Sequence, residues 1–239
     1  MPRDTLTIEQ IVRTAIELLD DEGLDGFNMR SLGRRLGAAA TAVYWHVKNK
    51  DDLIALAADR VWQEIDLPDP DAVGWRDAAT ALATGLHAML GRHPWLVQAF
   101  GSHLLHGPAK ARYDDRCLAV FEAAGFTGPQ ADSAAAAVFT YVLGNALGAS
   151  AAAALTRRLS RDGAGAEAAI ADTMARARAV AMDFPRLRAR LETSAAADYA
   201  AAPGGTFEYG LRALLDGLAG LLSDRAGTGG ARPARGRRG

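Results

Sequence analysis

Two short helical segments meeting at Gly37 constrain this chain more than any other stretch. The first, Phe27 to Leu36, puts Met29, Leu32 and Leu36 on one face and has Asn28 where an N-cap belongs. The second follows a brief turn, is expected to end near Val47–Asn49, and carries Tyr44, Trp45, His46, Val47, Lys48, Asn49 and Lys50 in succession. Short helices joined at a glycine-bearing turn make a helix-turn-helix, in which the second helix enters the DNA major groove and the first crosses the backbone. From Phe27 to Lys50 the basic residues are Arg30, Arg34, Arg35, Lys48 and Lys50, with no Asp or Glu among them. Such a local field suits a phosphate-facing surface. Successive helix positions lie about 100° apart, so Tyr44, Trp45 and His46 cannot all point inward. At least one ring is left to bond a phosphate or meet a thymine methyl.

The remainder reads as helix after helix. Thr5 or Thr7 can cap a first helix, and Thr7 has capping-box spacing to Gln10; Ile8, Ile11, Val12, Ala15, Leu18 and Leu19 follow in helical register up to Gly23. The acidic face of that helix (Glu17, Asp20, Asp21, Glu22) is expected to point away from phosphates. A fourth helix, 50–65, places Asp51 and Asp52 in its first turn and Leu53, Leu56, Ala57, Val61 and Ile65 on its buried face. The run Leu67-Pro68-Asp69-Pro70-Asp71 then breaks the pattern and marks a domain boundary. Further helices are predicted over 75–90, 95–105, 110–124, 129–154, 167–182 and 206–223, with a short one near 186–193 and a weak link over 195–205. No segment alternates with a period of two, so the expected class is all-α. Its N-terminal three-helix helix-turn-helix domain, with the linking fourth helix, occupies 1–66. A larger helical ligand-binding and dimerisation domain occupies 75–225. The Arg-rich stretch 226–239 holds no acid and is expected to be a disordered basic tail.

Composition bounds these readings. With 239 residues, 49% hydrophobic and 23% charged, the chain is long enough and apolar enough for a substantial core. The net charge of −1 argues against a nucleic-acid binder, so DNA binding rests on the local patch alone. A single cysteine, Cys117, forms no internal disulfide and fits a reducing cytoplasm, the expected location. The N-terminus has early acids and no apolar core of a signal peptide. The apolar run Ala131–Leu155 is long enough for a membrane span, but alanine and glycine dominate it and Asp132, Thr140 and Asn145 interrupt it. A tightly packed buried helix is the expected form, with no membrane partner.

The block from Phe27 to Lys50, and YWHVKNK above all, resembles the DNA-binding motif of the tetracycline-repressor (TetR) family, closely over residues 5–65 and in outline beyond. The resemblance implies a homodimeric, ligand-responsive transcriptional repressor that binds a palindromic double-stranded operator and is released by a small molecule. It implies that Tyr44 and His46 touch the DNA backbone, that Lys50 anchors a phosphate, and that Arg30 reaches a base or phosphate. Trp45 completes the candidate surface. Where the family's founding member offers glutamine, proline and threonine for base reading, this chain has Ala40, Thr41 and Ala42. Thr41 and Arg30 are left to read bases, and a different operator is expected, since a lost bidentate contact is worth ~1–3 kcal/mol of discrimination. One recognition helix reads few base pairs, so a dimer is required. Gly144 and Gly148 allow close helix approach, the 206–223 leucine face is broad, and in the family the last two long helices pair with their mates as a four-helix bundle.

The candidate effector pocket comprises Leu86, Phe100, His103, His106, Arg116, Val120, Phe139, Thr140, Tyr141 and Asn145. His103 and His106 are expected on one helical face, where the family's founding member has a histidine and a threonine. Two imidazoles without carboxylate or thiolate support make a weak metal site, and no metal is assigned. Other tetracycline-recognition positions do not carry over, since Leu82 stands where an amide is expected. The expected effector is a hydrophobic or aromatic molecule other than tetracycline. No nucleophile, phosphate-loop or metallohydrolase motif occurs, so no enzyme and no cofactor are expected. The alternative reading, an all-α small-molecule-binding protein without sequence-specific DNA binding, rests on the alanines at 38–40 and 42.

Overall fold

Thr7 opens the first helix as its spacing predicts. Its Oγ1 accepts from the Gln10 N–H at 3.2 Å, and its own N–H donates to Gln10 Oε1 at 2.9 Å. The computed structural model describes residues 6–161, 165–193 and 206–228, and among these every regular element is a helix. Helix α1 (Ile8–Gly26) turns sharply at Gly23, whose φ of +71° ends the regular run. Asn28 caps α2 (Met29–Arg35) by accepting from the Ser31 N–H at 2.9 Å. A Cβ on Gly33 would lie 2.8 Å from the Ala38 carbonyl oxygen and 3.0 Å from the Ala40 nitrogen, so the α2–α3 corner closes directly onto this glycine. Helix α3 (Ala40–Val43) is a single turn, shorter than the sequence predicts, and Tyr44 to His46 form turns beyond it.

Helix α4 (Lys50–Trp62) starts at Asn49, which accepts from the Asp52 N–H at 2.7 Å, with Asp51 and Asp52 complementing the dipole. It buries Leu53, Ile54, Ala57, Ala58, Val61 and Trp62. Leu56, expected on that face, is 42% exposed instead, because the buried face is centred on the pairs that flank it. The predicted 50–65 helix ends early at Trp62, and Ile65 is nonetheless buried.

After the proline-rich break come α5 (Pro70–Val73), α6 (Trp75–Arg92), α7 (Trp95–Ser102), α8 (Pro108–Ala123) and α9 (Pro129–Arg161). Then follow α10 (Ala166–Met182), α11 (Pro185–Leu191) and α12 (Thr206–Thr228). Helix α12 carries helical structure through Thr228, into the stretch expected as tail. Residues 229–239 and the 195–205 link lie outside the described residues. Helix α9 is long and apolar enough to cross a membrane, and it was expected to be buried. Only a stripe of it is: Ala131, Ala134, Val138, Val142, Ala146 and Ser150 pack inward, while small residues leave much of the rest open.

One continuous apolar core runs from Ile11 to Leu218. Helices α1–α4 (the head) and the helices beyond the break at 67–71 (the body) therefore share one core. Helix α1 packs on α4, α7 and α9, and α4 packs on α8. Gly33→Ala should lower stability by about 1–3 kcal/mol through overpacking of the α2–α3 corner, read as a shift in the urea unfolding midpoint.

Candidate nucleic-acid interface and the head–body junction

Val43 and Val47, four residues apart, tie the 40–49 segment to the core; both are buried. The three rings between them all face out. Tyr44 is 49% exposed, Trp45 88%, and His46 is also exposed. The sequence required at least one outward ring, and the fold delivers three. Arg30 and Thr41 are exposed as well, and Lys50 is half-buried with its ammonium 5.6 Å from the Phe27 ring centroid. These six residues of the predicted surface thus lie within one short span of the head. Two of its cations are partly committed. Arg35 pairs with Asp21 at 2.7 Å, and Arg34 reaches Ser31 Oγ at 3.4 Å. Asp21 is an acid the local sequence window did not contain.

Behind the head lies a junction that sequence reasoning missed. His93, 7% exposed, places Nδ1 2.8 Å from Asp20 Oδ1 and Nε2 3.0 Å from Glu64 Oε1. Asp20 Oδ1 also accepts from Trp95 Nε1–H at 2.9 Å, and Arg92 donates to Glu64 Oε2 at 2.7 and 2.9 Å. Asp20 is therefore not the solvated outer acid that the helix pattern suggested. Burial opposes charge on His93, but the Asp20 and Glu64 carboxylates prevail and hold the imidazole above its ordinary pKa. Burial likewise opposes charge on Glu64, while Arg92 and His93 hold its carboxyl below the usual range. A second tie joins α4 to α8. Asp59 Oδ1 accepts from the N–H groups of Ala109 and Lys110, both at 2.9 Å, and so caps the N-terminus of α8. The bare backbone of Gly107 makes room for this carboxylate.

The candidate pocket residues scatter. The expected 95–105 helix ends at Ser102, so His103 is an extended C-cap and the His103/His106 pair shares no helical face. His103 Nε2 instead lies 3.4 Å from Asp51 Oδ1, and His106 is exposed with Nδ1 3.0 Å from the Leu104 oxygen. Among the described residues no group of three His, Cys, Asp or Glu is placed to hold a metal ion. Leu86 and Val120 are solid core. Arg116 donates to the Pro68 oxygen at 3.2 Å and fastens the chain break. Tyr141 donates to the Thr206 and Phe207 oxygens and stacks near Phe207, facing α12, and Asn145 donates to the Tyr141 oxygen of its own helix.

Phe139 and Thr140 do line a cleft of 290 Å³ between α8 and α9, together with Lys110, Tyr113, Cys117 and Leu118. Phe100 meets Phe139 edge-on at 5.6 Å and Trp62 at 6.4 Å, and Trp62 meets Tyr113 at 4.8 Å. The Lys110 ammonium sits 5.4 Å from the Trp62 ring and 5.9 Å from that of Phe139. The Trp62 indole N–H is buried without a hydrogen-bond partner among the described residues. Burial pushes the Cys117 thiol up to about 11, which leaves it an apolar neighbour of Tyr113 rather than a nucleophile. Larger grooves exist, including one of 730 Å³ along the outer faces of α1 and α4, but charged residues such as Glu9, Arg13, Glu17 and Arg60 line it.

Comparison with known proteins decides the family. Residues 11–57 match the model of the bacterial regulatory proteins of the tetR family, and residues 67–222 match the tetracyclin repressor-like C-terminal domain. The chain belongs to the TetR family. It is a DNA-binding transcriptional regulator. An HTH-type transcriptional regulator of Saccharopolyspora erythraea is 37% identical over 182 residues, 76% of this chain and 73% of the relative. The transcriptional repressor DrrR1 of Streptomyces coeruleorubidus is 35% identical over 146 residues, 61% of this chain and 54% of the relative. The Streptomyces coelicolor TetR family protein ActR, solved in complex with actinorhodin, superposes with a TM-score of 0.68 at 26% identity, covering 90% of this chain and 96% of that one.

Asp59→Ala should remove both hydrogen bonds at the start of α8. The expected cost is about 1–2 kcal/mol in denaturant unfolding, with faster amide exchange at Ala109 and Lys110.

Proposed function

We propose that this chain is a homodimeric repressor that reads a palindromic operator through residues 1–66 and senses a small molecule through residues 75–225. The outward ridge of Tyr44, Trp45 and His46 carries this reading. A fold that needed those rings for its own core would not leave all three in solvent, and their neighbours Arg30, Thr41 and Lys50 supply charge and a hydroxyl for phosphate and base edges. Tyr44 and His46 bond the backbone, Lys50 anchors a phosphate, and Thr41 and Arg30 read bases. The chain acts where the chromosome is, in the cytoplasm.

The effector site is the cleft between α8 and α9, floored by Phe139 and backed by the Trp62, Phe100 and Tyr113 rings. Its lining combines the Tyr113 and Phe139 rings with Lys110, Asp114, Asp132 and Thr140, which suits a flat aromatic molecule bearing polar groups at its edge, and the ActR complex with actinorhodin supports that choice. Asp59 makes α4 sensitive to the position of α8, so a ligand wedged beside α8 would shift the head. That ligand must bind the shifted state more tightly than the operator-binding state.

Dimerisation uses α9 and α12. Leu147, Tyr209 and Leu221 are exposed on these helices, and a Cβ on Gly144, Gly148, Gly217 or Gly220 would meet no neighbouring atom within 4 Å. A second copy would cover these apolar groups and use the open backbone for close approach.

In gel shifts against palindromic duplexes, Tyr44→Ala should weaken binding by about 1 kcal/mol or more. Lys50→Ala should reduce the slope of log affinity against log salt by about one. Unchanged binding in both variants would remove these residues from the interface. Charge placed on the small-residue face, as in Leu147→Glu with Tyr209→Glu, should yield monomers by light scattering and abolish the shift; a persistent dimer would exclude this face.

A further inference from the structure

His93 is held in a way that favours its protonated ring. Both ring nitrogens lie within hydrogen-bond distance of carboxylate oxygens, at 2.8 and 3.0 Å, on opposite sides of a buried ring. A neutral imidazole has one N–H and one lone pair, so one carboxylate would face a lone pair; the imidazolium donates to both. The two acceptors belong to different parts of the molecule. Asp20 is on α1 of the head, and Glu64 is on the segment leaving α4. His93 itself sits between α6 and α7 of the body.

The groups around the ring are Asp20 from α1, Glu64 from beyond α4, Arg92 from α6, and Trp95 from α7, whose indole approaches edge-on at 6.4 Å. Arg92 is engaged with the other Glu64 oxygen, and Trp95 shares Asp20 Oδ1. The next residue, Pro94, has its carbonyl oxygen held by Ser150 of α9 at 2.7 Å. The ring is thus fixed to the body and offers its two protons to the head and its linking segment.

We propose that His93 is a positioning residue for operator binding: its imidazolium clamps α1 and the end of α4 to the body and so sets the angle of the reading head. Loss of one proton breaks one arm and frees the head to rock. Two heads that wander must be ordered on binding DNA, which costs affinity without changing any DNA contact. The raised pKa of His93 fixes the direction. The clamp is fully present below the ordinary histidine value of 6.5 and is lost as pH rises through the folded-state value. At the acid limit, where the lowered Glu64 carboxyl takes up a proton, the Glu64 arm is lost as well.

The inference rests on the operator-binding reading above, and two measurements on the full chain keep the two separable. The first follows the imidazole resonances of wild type with pH, without DNA. His93 should titrate above an ordinary histidine, and Asp20→Asn should bring it down. A His93 that titrates like a free imidazole overturns the clamp. The second compares affinity for a palindromic duplex, selected by the wild-type chain from random DNA, between pH 6.5 and 9. Wild type should weaken about fivefold more than His93→Gln, the lower end of ordinary coupling. His46 on the reading face is present in both proteins, so only the difference between the profiles reports His93. Superimposable profiles overturn the proposal. Should His93→Gln not fold, Glu64→Gln removes one arm from a less buried site and must flatten the profile in the same sense. A wild type that selects no duplex refutes operator binding, and the imidazole titration then decides the clamp on its own.

Discussion

Helix α4 has to belong to two cores at once. It buries adjacent pairs, 53/54, 57/58 and 61/62, and a repeated pair gives a wider apolar face than the single stripe that one neighbour requires. That width lets α1 pack on one part of the face and α8 on the other. The head cannot drift from the body without exposing Leu53, Ile54 or Trp62 to water, at about 1.5–3 kcal/mol for each such side chain. The remaining connections work within that constraint. Asp59 and the Asp20–His93–Glu64 cluster set the angle between two parts that hydrophobic burial already holds in contact.

What the sequence made legible follows from local rules. The capping box at Thr7, the N-cap at Asn28 and the acids in the first turn of α4 are encoded within a few residues, and periodicity located nearly every helix, while Asn49, Pro108 and Pro185 open helices where the sequence suggested only ends. One outward ring could be argued, because three rings in a row cannot share one side of a helix, but all three face out because the helix has already ended at Val43. Long-range pairing was not legible. Nothing near Asp20 indicates that His93 will lie against it, and Glu64 looks like any acid at a helix end. The pocket suffered most. Tyr141 and Asn145 have the polarity of ligand contacts, but the first bonds the backbone of α12 and the second its own helix. The histidine pair failed on one boundary: a helix ending at Ser102 leaves His103 extended and places the two rings apart.

Charge shows the same division. The window from Phe27 to Lys50 has no acids in sequence, yet Asp21 arrives from α1 to neutralise Arg35. A net charge of −1 gives no hint that acids are also used internally, as acceptors for backbone and ring N–H groups at the head–body boundary. Two such acids, Asp20 and Asp59, lie on the head side and face donors from the body. They satisfy polar groups there, and in each case the partner is a group whose position depends on a body helix.

The arrangement of Val43 and Val47 also bears on how such a protein diverges. Two buried valines hold the reading segment, and the residues between and before them touch solvent. Side chains at 40–42 and 44–46 can therefore be exchanged at little expense in stability. On the proposed reading of these positions, inheritance can rewrite the recognised DNA one position at a time while the scaffold stays intact, and duplicated copies can part company in their targets long before their folds differ.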